Sequence, residues 1–325
     1  MVRDAERGSG VDDTSGHDGD PGSTGDVGST GDAGSTGDVG STGDAGSTGG
    51  PASTAQRVGA ADGPGARGAR PVRRGGPASS ARTAVVWEVL SAVLSEADPE
   101  GRGLDVVDAG GGSGGFAVPL AEAGHRVVVV DPSPDSLAAL SRRAGDAGLA
   151  DRVRAVQGDA TDLPTLLAGL EGLDGGVDLV LCHSVLEVVD DPAAALAAVA
   201  AVLRPGGRLS LLAPNRAAAV LARALAGRPD EAAHVLSDPA GRWGPGDGTA
   251  RRWDPAALAE LIVRAGLVVE QVHGVRVVAD LVPSAVLDVE PGAAAALLAL
   301  ERALSDRPPF RDLATQLHVL AVRPA

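Results

Sequence analysis

The stretch Leu104–Ser133, LDVVDAGGGSGGFAVPLAEAGHRVVVVDPS, constrains this chain more than any other. It reads as a buried strand, a glycine-rich turn, a helix and a second strand that ends in an acid. Val106 and Val107 lead the first strand to Asp108, and Gly110, Gly112 and Gly114 let the main chain turn tightly with no side chain between it and a ligand. The second strand, Arg126–Val130, ends at Asp131, whose carboxylate can accept hydrogen bonds from both vicinal hydroxyls of a ribose. The pattern implies an adenosine-containing cofactor held against the main chain.

The glycines alone do not choose the cofactor, because Gly110, Gly112 and Gly115 also satisfy the G-x-G-x-x-G of nicotinamide-binding proteins. The residues that follow do. A third strand, Val153–Gln157, ends in Gly158-Asp159-Ala160, and a fourth, Val177–Cys182, leads into His183-Ser184-Val185-Leu186-Glu187 and Asp191-Pro192. Leu203-Arg204-Pro205-Gly206-Gly207-Arg208-Leu209 comes next. This order resembles the class I S-adenosylmethionine-dependent methyltransferases. The resemblance implies a Rossmann-like seven-stranded α/β sheet, mostly parallel with its last strand antiparallel, and helices on both faces. It also implies S-adenosyl-L-methionine as cofactor, Asp108, Gly110, Gly112, Gly114 and Asp131 around it, and Asp159 and Ala160 near the adenine amine.

Composition sets the limits of the folded part. Residues 1–77 hold almost no large apolar side chains, and burial too small to offset chain entropy predicts a disordered tail there. Glycine recurs at every third position from Gly16 to Gly49, a collagen-like period, but Pro21 is the tract's one proline, and a triple helix needs many. Arg67, Arg70, Arg73 and Arg74 form a basic linker before the domain, which is expected over residues 78–325. The chain carries a net charge of −15, of which the tail's eleven acids and seven arginines account for −4. The remaining −11 makes the domain a poor general binder of phosphate backbones. All 28 basic residues are arginine, which reflects coding bias more than a site. The chain shows no apolar run of about 18 residues and no signal sequence, so the expected location is cytoplasmic. Cys182, the sole cysteine, reads as core packing, and the six histidines lack ligand spacing, so no metal is expected.

Periodicity fills in the rest. Ser80–Leu94 places Ala84, Trp87, Val89, Leu90 and Leu94 largely on one helical side, and Ser136–Ala144, Pro192–Leu203 and Pro255–Ala265 read as helices with Asp135, Asp191 and Asp254 as capping or first-turn acids. After a fifth strand, Arg208–Ala213, the chain departs into Asn215–Trp253, with two tryptophans and a GPGDG run, and this insertion near 215–253 is the expected substrate lid. Val268–Val272 is the sixth strand and Ala293–Leu304 a late helix. Thr315–Val322 is the last strand, expected antiparallel at the sheet's end.

Arg82 and Trp87, HSVLEVVDDP, VLRPGGRLSLLAPN, HGVRVVADLVP and LLALERAL…QLHVLAVRP occur in the order found in the tRNA 5-carboxymethoxyuridine methyltransferase family, which this chain resembles over Ser80–Pro324. Such membership implies methyl transfer to the carboxylate of a modified wobble uridine, with Arg82 meeting the cofactor's methionine carboxylate. Where that family has a lysine-rich stretch ending in Tyr-Pro-Arg-Asp-Pro, this chain has Gly248-Thr249-Ala250-Arg251-Arg252-Trp253-Asp254-Pro255. Trp253 replaces the arginine that would grip the acceptor, leaving Arg252 and Arg251 as candidates for that role. His183, at the end of the fourth strand, is a candidate to shape the cofactor pocket, to act as a base for a hydroxyl acceptor, or simply to brace a loop. Two other readings stay open: a small-molecule methyltransferase of secondary metabolism, to which the altered lid points, and a non-catalytic adenosine-cofactor-binding module.

Overall fold

A computed structural model describes residues 83–283, 287 and 290–325. The acidic repeat, the arginine run and Arg82 lie outside the described residues.

Four consecutive valines cannot alternate between core and solvent, so the strand that carries them has to be covered on both faces. In β2 (Arg126–Asp131) all four are buried, between β1 (Asp105–Ala109) and β3 (Val153–Gln157), both parallel to it. β4 (Val177–His183) and β5 (Leu203–Pro214) extend the parallel sheet on the other side of β1. β6 (Val268–Val275) and β7 (Gln316–Val322) complete the order β3-β2-β1-β4-β5-β7-β6, with β7 antiparallel to both of its neighbours. The last strand therefore does not lie at the sheet's end, as expected, but one place in. The reason is compositional: Leu317 to Ala321 are buried in unbroken succession and need cover on every side, whereas β6 carries Glu270 and Gln271 exposed and tolerates the edge.

Two apolar layers close the sheet. α1 (Ala84–Ala97), α2 (Ala117–Glu122) and α3 (Pro134–Asp146) cover one face through Leu90, Leu120 and Leu140. α4 (Leu163–Leu167), α5 (Pro192–Val202) and α8 (Pro255–Arg264) cover the other through Leu163, Leu196, Leu258 and Ile262. The helix starts follow from capping chemistry. Asp191 Oδ1 accepts the Ala193 and Ala194 amides at 2.9 and 3.0 Å, with Pro192 preset for the first turn. Ser133 rather than Asp135 caps α3, and Asp254 precedes α8 without a capping bond, ion-paired instead to Arg216 at 3.5 Å.

The insertion folds as α6 (Arg216–Leu225), α7 (Pro229–Ser237) and a braced loop. The Arg223 guanidinium lies 4.3 Å from the Trp243 ring centroid, and Asn215, capping α6, donates through Nδ2 to the carbonyls of Asp312 and Ala314, both at 2.8 Å. α9 (Ala293–Leu304) joins α1 through the ion pair of Arg302 with Glu88.

Leu196, fully buried on α5, tests which layer holds the sheet. Leu196→Ala is expected to lower the unfolding free energy by about 2–5 kcal/mol with little change in the urea m-value. Equilibrium denaturation checks this, and a loss well below about 1 kcal/mol would mean the α5 layer collapses around the cavity.

Candidate active site

The carboxyl ends of β1, β2, β3 and β4 point to one edge of the sheet, where such folds bind ligands. There the Gly110 amide donates to the Val130 carbonyl at 2.7 Å, and the Gly112 amide to Asp131 Oδ2 at 2.9 Å. Side chains are excluded from the turn by contact: a Cβ on Gly110 (φ 70°) would stand 2.5 Å from Val185 Cγ2, and one on Gly111 only 2.4 Å from the Asp108 carboxyl. Gly114 continues the turn toward α2. A glycine cradle of this kind leaves main-chain atoms as its exposed surface.

Asp131 does more than offer itself to a ribose. Its Oδ1 accepts the Ser133 amide at 2.9 Å while Oδ2 holds Gly112, so the carboxylate clamps the end of β2 to the glycine turn. Each oxygen keeps a second lone pair, enough for one hydroxyl each. Asp108 lies beneath the turn with Oδ2 unpaired among the described residues, and burial, reinforced by the neighbouring Asp131 charge, pushes its pKa up to about 7. Such an orphaned buried oxygen suits a donor brought by a ligand. Asp159, exposed at the end of β3, accepts the Thr161 amide at 3.1 Å, which turns buried Ala160 toward the core.

His183 sits in a chain of polar groups that crosses the sheet. Its Nε2 lies 2.8 Å from Ser210 Oγ, which lies 2.8 Å from His318 Nε2, and the His318 ring stacks on His273 at 5.8 Å. One hydroxyl proton cannot satisfy two imidazoles, so one ring must donate to the serine while the other accepts. The edge of Phe116 packs on His183 at 4.6 Å, and burial lowers the His183 pKa to about 3. The ring is a fixed, neutral wall and a poor base. This geometry opposes the base role considered for it and suits the pocket-shaping one.

Of the two lid arginines, Arg252 has both arms of its fork occupied and Arg251 one. Arg252 is turned inward: Nη1 and Nη2 meet the two Asp247 oxygens at 2.6 and 3.0 Å, and Nη1 also reaches the Gly241 carbonyl at 2.9 Å. That pairing closes the GPGDG loop and holds Asp247 down to about 2. Arg251 Nη1 donates to the carbonyls of Leu186 and Val189, both at 3.1 Å, and so ties the insertion to the loop after β4. Arg252 therefore braces the insertion itself, and Arg251 braces it through Nη1.

A cavity of about 340 Å³ opens among Glu187, Pro214, Arg276, Gln316 and residues 248–250 of the insertion. Glu187 has Oε2 buried and unpaired among the described residues, and burial raises its pKa. The sequence reading passed over Glu187, Ser210, Arg276 and His318. All four stood in quoted motifs, but nothing in the sequence joined Ser210 to His318, because only the register of β5 against β7 brings them together. Cys182, its thiol pushed up to about 12 by burial, is packing. Among the described residues no group of histidines, cysteines or acids is arranged to hold a metal ion, and no helix is long and apolar enough to cross a membrane.

The sheet order, the glycine cradle and the acids at the ends of β1 and β2 define a class I S-adenosylmethionine-dependent methyltransferase, and these residues fit that cofactor. A family model described as a methyltransferase domain matches residues 107–211. The tRNA 5-carboxymethoxyuridine methyltransferase of Escherichia coli K12 is 32% identical over 251 residues, covering 75% of this chain and 88% of that protein. The ubiquinone biosynthesis O-methyltransferase of Methylocella silvestris is 34% identical over 168 residues, 51% of this chain and 59% of its own. The solved S-adenosylmethionine-dependent methyltransferase of Mesorhizobium loti superposes with a TM-score of 0.50 at 22% identity, covering 76% of this chain and all of that one (100%). The chain belongs to the family of the tRNA 5-carboxymethoxyuridine methyltransferase.

Removing the Asp131 carboxylate takes away both the clamp and the ribose acceptor. Asp131→Ala is expected to weaken binding of the demethylated cofactor by about 1.5–3 kcal/mol. Titration calorimetry measures it, and an unchanged Kd would remove Asp131 from the site.

Asp108 carries a pH signature. An acid whose folded pKa is raised favours the folded state fully below its unfolded pKa, near 3.8, and that contribution is lost as pH rises through about 7. The apoprotein's Tm should therefore fall between pH 5 and pH 8, with a smaller fall in Asp108→Asn. Equal slopes in the two proteins would show that Asp108 is already ionised at pH 5.

Proposed function

We propose that this methyltransferase esterifies a carboxylate, that of a 5-carboxymethoxyuridine at a tRNA wobble position. The observation that carries the reading is His183: its Nε2 is engaged by Ser210, its ring is wedged against Phe116, and it stays neutral. A site whose central imidazole cannot take a proton suits an acceptor that has none to give, and a carboxylate is ionised at neutral pH. When bound, S-adenosylmethionine supplies an electrophilic methyl on a cationic sulfur, and its transfer to a carboxylate yields a neutral ester and a neutral thioether with no proton changing place. What the protein's residues contribute is alignment and the exclusion of water. Asp131 and the glycine turn fix the cofactor side, with Asp108 below them and Asp159 at the adenine side. Phe116 and His183 form the wall between cofactor and acceptor, and Arg251 holds the insertion over the loop that carries Glu187.

Two further observations support tRNA as the carrier. The Escherichia coli relative, matched over 88% of its length, bears that activity in its name. The insertion, residues 215–253, holds six arginines against four acids in a domain that is otherwise strongly acidic, so approach of a phosphate backbone is least disfavoured at the acceptor end. A small hydroxyl acceptor is the second reading. Glu187 favours it, because an unpaired carboxyl whose pKa burial has raised is better suited than His183 to take a hydroxyl proton.

Incubating the purified protein with methyl-labelled cofactor and tRNA bearing 5-carboxymethoxyuridine decides between them. The expected product is a labelled wobble nucleoside that mild alkali strips of its methyl group, as an ester requires. Label that survives alkali, or no label on the tRNA and turnover on phenolic acceptors, would replace the proposal with the hydroxyl reading.

A further inference from the structure

The wall of the acceptor cavity contains one cation among its described lining residues, Arg276. It follows β6 directly and has φ 62°, a left-handed conformation that a non-glycine residue keeps only where its surroundings impose it. They do so from below. Glu301 of α9 is completely buried, and its carboxylate accepts the amides of Val277, Val278 and Ala279 at 3.0, 2.7 and 2.6 Å. A carboxylate removed from water persists only where its lone pairs are used. Here the three amides immediately after Arg276 use them, and in doing so they fix the turn that presents the arginine.

The side chain is held as firmly as the backbone. Asp280 accepts from Arg276 Nε at 2.7 Å and from Nη2. Thr315 Oγ1 lies 3.0 Å from that carboxylate and 3.1 Å from the Arg276 carbonyl, tying both to the start of β7. Asp280 therefore occupies the Nε side of the guanidinium. Nη1 and the outer hydrogen of Nη2 have no partner among the described residues, and they form the edge with which arginine takes a carboxylate in two parallel hydrogen bonds. The side chain is 28% exposed, enough to meet a ligand. Residues from the insertion, from the loop after β4 and from the ends of β5 and β7 line the same cavity. Burial shifts Glu187 toward its neutral form, which lessens its repulsion of an anion there.

We infer that Arg276 is the specificity-determining cation of the acceptor site, gripping the substrate's carboxylate through its free edge in the role the sequence assigned to Arg252, with Glu301 and Asp280 as positioning residues. The inference rests on the carboxylate reading above but does not depend on tRNA as the carrier.

The test separates the two. The protein saturated with demethylated cofactor is titrated with the free nucleoside 5-carboxymethoxyuridine and with its neutral amide, while methylation of the corresponding tRNA is measured in parallel. The wild type is expected to prefer the acid at least tenfold. Arg276→Ala should abolish that preference with cofactor affinity unchanged within twofold, and Arg276→Lys, which keeps the charge without the fork, should recover only part of it. Glu301→Gln should raise KM for the acceptor several-fold more than it lowers kcat, a split that loss of stability alone would not produce, and thermal melts confirm that each variant is folded. If the wild type ignores the tRNA yet shows the acid preference and loses it in Arg276→Ala, the arginine's role stands and the tRNA reading falls. A wild type without acid preference, or an Arg276→Ala protein that keeps it or methylates tRNA with unchanged KM, overturns the inference.

Discussion

Everything on the cofactor side depends on one carboxylate clamping two pieces of main chain. Asp131 ends β2, holds Gly112 through one oxygen and Ser133 through the other, and so fixes the glycine turn against the strand next to it. Without that tie the turn would be a loop with several left-handed residues and little to choose among its conformations. With it, the backbone offers a preformed surface, and the same carboxylate still has lone pairs to spare. The strand register does the rest: parallel pairing of β1 with β2 and β4 brings Asp108, Asp131 and His183 to the same edge.

The acceptor side is built on a different principle. Its residues come from strand ends and loops joined by side chains: Asn215 links the start of α6 to the approach of β7, Arg251 links the insertion to the loop after β4, and Thr315 links β7 to Arg276. The line His183–Ser210–His318 runs from β4 across β5 to β7, so the end of β4 is mechanically continuous with the strand that begins at the cavity beside Arg276. Burial keeps the His183 and His318 rings neutral, which makes that line a spacer of fixed length.

Much of this was legible in the sequence, for physical reasons that differ by element. The valines of β2 and the apolar runs of β1 and β4 announce strands buried on both faces, and aspartate followed by proline announces α5 and α8, because burial and capping are decided within a few residues. Position in the sheet is decided between segments far apart, so the insertion of β7 between β5 and β6 was not readable from Leu317–Ala321 alone. The arginines show the same limit more sharply. Family likeness pointed to Arg252 by its place in a motif, but Asp247, five residues earlier, takes both arms of its fork. Arg276 stood in plain view within HGVRV, and what distinguishes it, the left-handed backbone and the buried Glu301 beneath it, exists only in three dimensions.

The interior position of β7 has a consequence for how this protein can change. Because β6 ends where antiparallel β7 begins, Val275 pairs with Gln316, and the two bring Arg276 and Thr315 to an edge whose other half is formed entirely before residue 184. The residues that fit the cofactor and those that line the acceptor cavity therefore occupy separate stretches of chain. The two stretches meet at points such as Val185 against Gly110 and Ser210 against His183. The chain is thus divided at about residue 184 into a first stretch that builds the glycine turn and a second that lines the cavity beside Arg276.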